Sequence, residues 1–506
     1  KLADGSVDGW IYGTGISVTW KTPVAALAPV TAPEPPAEFT DGFFILNEGW
    51  FGHDTGSINW IGSDDTAYYN VDSKANDGGS VLGNTSDYGQ VYGDYCYVMS
   101  KQAPRLVIMD ATTLKVIKSF DSIGGKDGRG MLGVDEGKVY VGTSKGIFVL
   151  DVSNDFSLSE TAIAGTEGQT GMMVRVGNYV FATMQSAGLL VIDPATDKVV
   201  ETIENSKICG VTASNDGTVW AVAGSDIIRV NPVTLENATL TLPDKMVSPW
   251  GSWTPDKICA DPDEPALYYA YGKGSWTNSE NSIGKLTINA DGTLTKDAGF
   301  AFTMPEAATA GRSQLLYGSI GIDPQSGYLI ATATQDGYGE NYSYNWIHYI
   351  DRSTGEVVKS TVLKNDDGEN YYWFPAMPVF PDNNNPEITL DHITIAKKES
   401  VAYNVTDFVS DADNLPALAV VAAASSGDEG VFTVESNGFG FSISPVAGGS
   451  ADLYLTVNSN GRIAEKTVNV NVDKTVGTAA VSAENVEIYP TVATDVLNVT
   501  GLSQGN

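Results

Sequence analysis

Aromatic side chains in long loops are the residues of this 506-residue chain best suited to binding chemistry. Flat rings stack on a flat ligand or on a sugar ring at low entropic cost. Gly, Ser and Asn surround Trp50, Trp253 and Trp276, as expected in exposed loops, whereas Trp346 and Trp373 also suit core positions. The predicted ligand-binding residues are Trp50, Phe51, Tyr88, Trp250, Trp253, Trp276, Arg312, Tyr338, Tyr342 and Tyr371.

Two arginines precede predicted strands and stand out in so acidic a protein. Each could contact a ligand or pair with a neighbouring aspartate. Arg312 is included among the ligand-binding residues, while Arg129 is better interpreted as a partner of Asp127.

Catalytic patterns are weak. His53, His348 and His392 lie in different predicted elements, so they do not form a zinc site or a Ser/His/Asp arrangement. Asp336 and Glu340 could be proposed as a glycosidase acid pair, but 62 acidic residues produce such pairs by chance. We therefore predict no catalytic residue and a protein that is not an enzyme.

Metal ligands and disulfides are equally weakly indicated. Asp411 and Asp413 could contribute to a calcium site, but calcium takes about six to eight oxygens, and one short acidic cluster is more typical of a solvated turn. Cys96, Cys209 and Cys259 are an odd number for a disulfide framework and are predicted to be buried thiols. No metal or cofactor is predicted.

The elements that position the long loops form a repeat between residues 41 and 382. Each copy reads as a strand, a short loop, a strand ending in Asp or Asn, a tight turn and a strand, with a further strand in front. The turn-opening residues Asp110, Asp151, Asp193 and Asn231 are 41, 42 and 38 positions apart. Four strands in about 40 residues is the period of a β-propeller blade.

Counting the copies predicts seven blades. Six whole units run from about residue 89 to 365, and the first unit, from Phe43 to Asp72, lacks one strand. The apolar segment from Trp373 to Phe380 has no partners of its own, so we expect it to pair in the first blade and close the ring. All the long loops would then lie on one face, opposite the short turns.

The whole chain is predicted to be all-β: a seven-bladed β-propeller followed by a β-sandwich of immunoglobulin or cadherin-like type. Residues 1–40 are predicted to be the end of a preceding β domain plus a Pro/Ala linker. The propeller occupies 41–382, the sandwich 386–473, and 474–506 follow as a separate segment.

Charge excludes some partners. The 29 basic and 62 acidic residues give a net charge of −33, so nucleic acid is not an expected partner. Apolar runs are far shorter than the roughly 20 residues that span a bilayer.

Residues 41–382 resemble the YncE-like seven-bladed propellers found on the surface of Bacteroidetes. The opening Phe43-FILNEGWFGHDTGSINWI is similar to the "LNEG…GS" start of that group, and the Asp-Pro-Ala-Thr turn also matches. Its BtuG-type lipoproteins capture corrinoids such as cobalamin for a TonB-dependent outer-membrane transporter. The resemblance therefore implies the same class of ligand and partner.

A second resemblance lies at the end of the chain. Val486-EIYPTVATDVLNVTG is similar to the start of a type IX secretion sorting domain, with Thr491 and Val492 in place of the usual Asn-Pro. Residues 474–506 would thus be a linker and part of that domain. This resemblance implies export to the cell surface, on the extracellular side of the outer membrane.

Together these features favour a non-catalytic cell-surface protein that captures a nutrient such as a corrinoid. A surface glycan-binding protein is the first alternative, because exposed Trp and Tyr also stack on sugars. A scaffold that only joins an outer-membrane complex is the second.

Overall fold

The computed structural model describes residues 34–185, 187–246, 257–272, 281–363, 372–396 and 399–473, and two short strands beyond them. Within these ranges the chain is almost entirely β-structure. Its helices are one- to two-turn segments: α1 (Val71–Ala75), α2 (Val405–Phe408) and two 3-10 turns at Gly339–Ser343 and Pro416–Leu418. No helix in the described ranges has the length and apolar character to cross a membrane.

Seven four-stranded antiparallel sheets follow one another in the described residues between Gly42 and Val379. The first contains β1 (Gly42–Asn47), β2 (Ser57–Gly62), β3 (Ala67–Tyr68) and, from far along the chain, β28 (Pro375–Val379). The second sheet contains β4 (Ser86–Tyr92), β5 (Tyr95–Ser100), β6 (Leu106–Asp110) and β7 (Val116–Phe120). The third contains β8 (Gly128–Asp135), β9 (Lys138–Thr143), β10 (Gly146–Asp151) and β11 (Ser157–Leu158). The fourth contains β12 (Thr170–Val176), β13 (Tyr179–Met184), β14 (Gly188–Asp193) and β15 (Lys198–Glu204). The fifth sheet contains β16 (Gly210–Ala213), β17 (Val219–Ala223), β18 (Asp226–Val230) and β19 (Asn237–Thr241). The sixth contains β20 (Ile258–Ala260), β21 (Ala266–Tyr271), β22 (Ser282–Ile288) and β23 (Leu294–Lys296). The seventh contains β24 (Gln314–Ile322), β25 (Leu329–Gln335), β26 (Asn345–Ile350) and β27 (Val357–Leu363).

The predicted closing strand is confirmed. β28 pairs with β1 in antiparallel register, with Val379 opposite Phe44 and Met377 opposite Leu46. Because β28 comes about 300 residues after β1 in sequence, this pairing joins the two ends of the repeat region. Trp373 and Ala376 are buried within it.

The sheets form a closed ring, called here the sheet ring (residues 42–379). The first strands of successive sheets contact one another in the order β4, β8, β12, β16, β20, β24, and β28 contacts both β24 and β4. Each sheet buries its apolar residues against its neighbours, and fully buried aromatics include Trp60, Trp220 and Tyr268. Closure of this kind leaves no inner sheet edge open to another chain.

A separate C-terminal unit spans residues 387–473. Its four-stranded sheet consists, in spatial order, of β30 (His392–Ala396), β37 (Arg462–Asp473), β36 (Gly449–Ser459) and β33 (Val420–Ser426). Its three-stranded sheet consists of β31 (Val401–Asn404), β35 (Gly440–Pro445) and β34 (Phe432–Ser436). The strands β29 (Glu387–Ile388) and β32 (Val409–Ser410) form a short pair. Both larger sheets contribute to one hydrophobic core, with Phe432 and Phe441 from one and Leu453 and Val470 from the other. Further along, β38 (Glu487–Tyr489) pairs with β39 (Asn498–Thr500).

The C-terminal unit packs on the end of the ring that carries the short turns. Phe439 lies so close to the turns at Gly177 and Gly217 that a Cβ on either glycine would overlap it. Asn460 donates its side-chain amide to the backbone oxygen of Val91 at 3.1 Å and to the carboxylate of Asp382 at 2.9 Å. The opposite end of the ring, which carries the long loops, faces away from this contact.

Several non-site expectations can be compared with the structure. Cys96 and Cys209 are buried thiols, as predicted, but Cys259 is only half-buried. Asp413 accepts hydrogen bonds from the backbone N–H groups of Asn383 and Asn384, at 2.7 and 2.6 Å. The acidic cluster at Asp411 and Asp413 thus shapes the connection between the ring and the C-terminal unit.

Candidate functional site

Irregularities in the inner strands place polar side chains at one end of the ring. The pairing of β4 with β5 shifts register between Ser86 and Tyr88, and that of β8 with β9 shifts between Gly128 and Gly130. Such β-bulges leave one residue unpaired and redirect its side chain. The residues that the strand register skips are Asp87 and Arg129.

The same feature recurs in the last sheet of the ring. β24 and β25 lose register between Leu316 and Ile320, a stretch that contains Tyr317. Together with charged residues at the ends of neighbouring strands, these side chains form what we call the ring mouth. It consists of Glu48, Asp87, Lys101, Arg129, Lys257 and Tyr317.

Glu48 is a buried acid at the end of β1. Burial raises the pKa of Glu48 from 4.5 to about 7, and the opposing effects of a hydrogen bond from Tyr317 and the charge of Lys101 are smaller. The hydroxyl of Tyr317 donates to the Glu48 carboxylate. This carboxyl group therefore keeps its proton to a higher pH than an exposed glutamate does.

Asp87 is buried even more completely, at 1% exposure. Burial raises the pKa of Asp87 well above its ordinary value, while the charge of Arg129 opposes the rise and that of Glu48 adds to it. Neither carboxylate oxygen of Asp87 has a hydrogen-bond partner in the structure as described. Buried polar atoms without partners are uncommon in folded proteins and call for an explanation.

Two of the three ring-mouth cations, Arg129 and Lys257, are buried too, and Lys101 is half-buried. Arg129 is 2% exposed, and its positive charge lowers the pKa of Asp87. Its pairing with Asp127 stays a prediction. Lys257, just before β20, donates to the backbone oxygen of Leu316 at 3.1 Å.

An aromatic cluster adjoins these charged residues. We define it as Trp50, Tyr317, Tyr338, Tyr342, Tyr372 and Phe374. Ring centroids are 5.2 Å apart between Tyr317 and Phe374, 5.2 Å between Phe374 and Tyr342, and 5.9 Å between Tyr342 and Tyr338. Since Tyr317 also bonds Glu48, aromatic surface continues from the exposed loop directly to the buried acid.

A sequence comparison decides the family. A model of a domain of unknown function, DUF5074, matches residues 41–381, about two thirds of the chain. This chain belongs to the DUF5074 family. The matched range includes the whole sheet ring and every ring-mouth residue. No curated protein matches the sequence significantly.

One solved structure shares the fold of the DUF5074 domain, and two others are similar to it at lower TM-scores. A quinoprotein alcohol dehydrogenase-like protein of Bacteroides thetaiotaomicron is 17% identical, covers 68% of this chain and 79% of its own, and superimposes with a TM-score of 0.50. A putative 6-phosphogluconolactonase of Bacteroides fragilis is 12% identical, covering 65% and 96%, with a TM-score of 0.42. The extracellular domain of a putative one-component system of B. thetaiotaomicron is 12% identical, covering 85% and 56%, with a TM-score of 0.39. Identities this low speak to fold alone.

The structure brings some of the sequence-predicted residues of the DUF5074 domain together. Trp50 and Tyr342 both join the aromatic cluster, but Tyr342 is buried at 5% exposure rather than lying on the rim. Tyr338 is 84% exposed at the edge of the cluster, and the guanidinium of Arg312 lies close to Gly337 beside it. Phe51 is 52% exposed and receives Lys101 at 4.8 Å from its ring centroid.

Other predicted residues lie elsewhere. Tyr88, the residue after Asp87 in β4, is half-buried and lines a cavity of about 170 Å³ between the ring and the C-terminal unit. Trp346 and Trp373 are buried in the ring core. Trp250, Trp253, Trp276 and Tyr371 lie outside the described residues.

Sequence reasoning missed most of the ring mouth. Glu48, Asp87, Lys101, Lys257 and Tyr317 have no distinctive spacing, because they come from different sheets. The available signal was weak: Glu48 and Lys101 directly follow the second strand of their sheets, and Asp87, Lys257 and Tyr317 lie near the start of innermost strands. Asp336 and Glu340, the acids considered above as a glycosidase pair, are in different environments from one another. Asp336 accepts a hydrogen bond from the backbone N–H of Ser313 at 3.0 Å, whereas Glu340 is exposed.

Proposed function

We propose that this chain is a non-catalytic ligand-binding protein of the bacterial cell surface, with its ligand at the ring mouth. One observation carries the proposal: an aromatic cluster, partly exposed at Tyr338, continues through Tyr317 to the buried acid Glu48, beside which Asp87 has neither carboxylate oxygen hydrogen-bonded. Apolar walls with a few converging polar groups are typical of ligand sites. The C-terminal unit covers the other end of the ring, which leaves the mouth as the accessible end.

The fold that accompanies this function is inferred to be a seven-bladed β-propeller with an immunoglobulin or cadherin-like sandwich. Seven sheets in a closed cycle, each with its first strand innermost, match the propeller arrangement. Two sheets around one core, within residues 387–473, match a sandwich. Surface export is supported by the resemblance of residues 486–501 to a type IX sorting domain.

A corrinoid such as cobalamin is the first ligand to test. Its macrocycle offers a flat face for the aromatic cluster, and its side-chain amides offer donors and acceptors for the ring-mouth residues. The resemblance to BtuG-type lipoproteins supports the same choice and adds a TonB-dependent outer-membrane transporter as partner. Titration with cyanocobalamin, followed by calorimetry and tryptophan fluorescence, tests it; absence of binding at micromolar concentration contradicts the corrinoid proposal.

A glycan is the second candidate, because the aromatic cluster could stack on sugar rings equally well. A glycan array with a Tyr338→Ala control separates the two ligand classes. Incubation of any bound oligosaccharide with the protein, followed by mass spectrometry, should show no cleavage, and cleavage would contradict the non-catalytic assignment. A pure scaffold predicts instead that neither ligand raises the thermal stability, whereas a ligand at 100 times its Kd adds about 2.7 kcal/mol.

The location of the site can be tested with a double variant, Phe51→Ala/Tyr338→Ala. Both side chains are largely exposed, so their loss should weaken ligand binding by about 2 kcal/mol while leaving the melting temperature nearly unchanged. Calorimetric Kd and thermal unfolding measure the two quantities.

Turn residues at the other end of the ring provide the matched control. Asn231 accepts backbone N–H groups from Val233 and Thr234, both at 2.9 Å, and Asp193 accepts that of Ala195 at 2.9 Å. Replacing Asn231 or Asp193 with Ala should lower the melting temperature without changing Kd. An affinity loss in these turn variants, with none in the double variant, would place the ligand at the wrong end for our proposal.

A further inference from the structure

Asp87 differs from the structurally engaged acids of the ring. Asp72, for example, is also 1% exposed, but its carboxylate accepts the backbone N–H of Ile58 at 2.9 Å. Asp87 has no such donor on either oxygen within the described chain. A carboxyl group buried without partners destabilises the free protein, so its presence is better explained by a partner that arrives from outside.

The position of Asp87 directs it at the proposed ligand. The β-bulge between Ser86 and Tyr88 makes Asp87 the unpaired residue of an inner strand, at the end of the ring that carries the aromatic cluster. Glu48 and Arg129 interact with it electrostatically, so it lies within the ring mouth. Asp87 therefore belongs to an inner strand of the ring and not to a loop, so the strand fixes the position of its carboxyl group.

The chemistry of a buried, neutral carboxyl group selects its partner. Burial raises the pKa of Asp87 well above its ordinary value, which leaves one O–H donor and one C=O acceptor side by side. A primary amide presents the complementary N–H and C=O on one edge, so it can form a pair of parallel hydrogen bonds with the carboxyl group, whereas a trans secondary amide can form only one of them. A carboxylate ligand would instead meet Glu48 and Asp87 as like charges whenever either is ionised.

We infer that the proposed ligand places an amide group against Asp87 in the ring mouth, an inference that rests on the proposed function. Amide groups occur in both candidate ligand classes. The corrinoid side chains end in primary carboxamides, which can form both hydrogen bonds, and N-acetylated amino sugars carry trans secondary amides, which can form one. Asp87 is then the residue that determines specificity for the amide, whichever class supplies it.

Isothermal titration of the full chain with two probes, cyanocobalamin and chitotriose, tests the inference. For the probe that binds the native protein, Asp87→Ala should raise Kd about ten- to hundredfold, because the amide of the probe loses its hydrogen bonding to the buried carboxyl group. A derivative of the same probe with carboxylate in place of amide should bind the native protein as poorly. Equal binding of the probe to native and Asp87→Ala proteins overturns the inference but leaves the proposed function standing; failure of both probes on native protein overturns both.

Thermal unfolding without ligand provides a second readout, with Asp72→Ala as the matched control. Asp72→Ala leaves the N–H of Ile58 without its buried acceptor and should lower the melting temperature by several degrees. Asp87→Ala removes no hydrogen bond and should leave the melting temperature unchanged or raise it. If Asp87→Ala destabilises as much as Asp72→Ala, Asp87 serves the fold and the inference is wrong.

Discussion

Deletion of the segment Trp373–Phe380 is expected to abolish cooperative unfolding of the sheet ring. This segment contains β28, whose backbone pairs with β1 and whose side chains fill the space between β24 and β4. Without it, the first sheet loses its innermost strand and the ring has two free edges. In differential scanning calorimetry, the deletion variant should show a broad unfolding transition of the ring in place of the sharp one of the native protein. A sharp transition in the deletion variant would contradict closure by β28.

A point variant tests the same closure without shortening the chain. A Cβ on Gly318 of β24 would lie 2.2 Å from the backbone oxygen of Ala376 and 2.5 Å from that of Pro375. Gly318→Val should therefore force β24 away from β28 and cost at least about 3 kcal/mol, since backbone atoms cannot move aside as a side chain does. Gly79→Val is the control, because no heavy atom lies within 4 Å of the added Cβ there.

The sheets could be predicted from sequence because they depend on local patterns that recur. Alternating apolar residues and turn-opening residues such as Asp110 and Asp151 repeat at nearly constant intervals, and Asp110 indeed accepts the N–H groups of Thr112 and Thr113. Even the distant pairing of β28 followed, since an apolar strand without neighbours had one place to pair, in the incomplete first sheet.

The ring mouth could not be predicted in the same way. Asp87 and Arg129 point into the site only because a bulge in each inner strand turns them there, and a one-residue bulge leaves no pattern in an isolated strand. Tyr342 was expected on the surface since Gly and Asn surround it, yet Phe374, just before β28, packs against it. Site residues from separate sheets meet only through the closure of the whole ring.

Replacement of Glu48 by Gln is expected to remove a large part of the pH dependence of stability. Burial raises the pKa of Glu48 from 4.5 in its ordinary state to about 7 in the folded protein, against the hydrogen bond from Tyr317 and the charge of Lys101. The folded state therefore binds this proton more tightly than the unfolded state. The stabilisation is fully present below pH 4.5 and is lost as the pH rises through 7, by up to about 3 kcal/mol.

Chemical denaturation at pH 5, 6.5 and 8 measures this change as the free energy of unfolding. Asp72 and Asp382 also have raised pKa values, but they remain in both proteins and cancel in the difference. The charge of Glu48 adds to the raised pKa of Asp87, so the difference reports these two acids together. The side-chain amide in Glu48→Gln keeps an oxygen for the hydroxyl of Tyr317 and stays neutral, so the variant should lose less stability between pH 5 and 8 than the native protein. The exposed Glu340→Gln serves as control and should reproduce the native profile. Parallel stability profiles for Glu48→Gln and native protein would mean that Glu48 is already solvated. The ring mouth would then be an open, water-filled channel and not a site whose buried acids need a ligand to satisfy them.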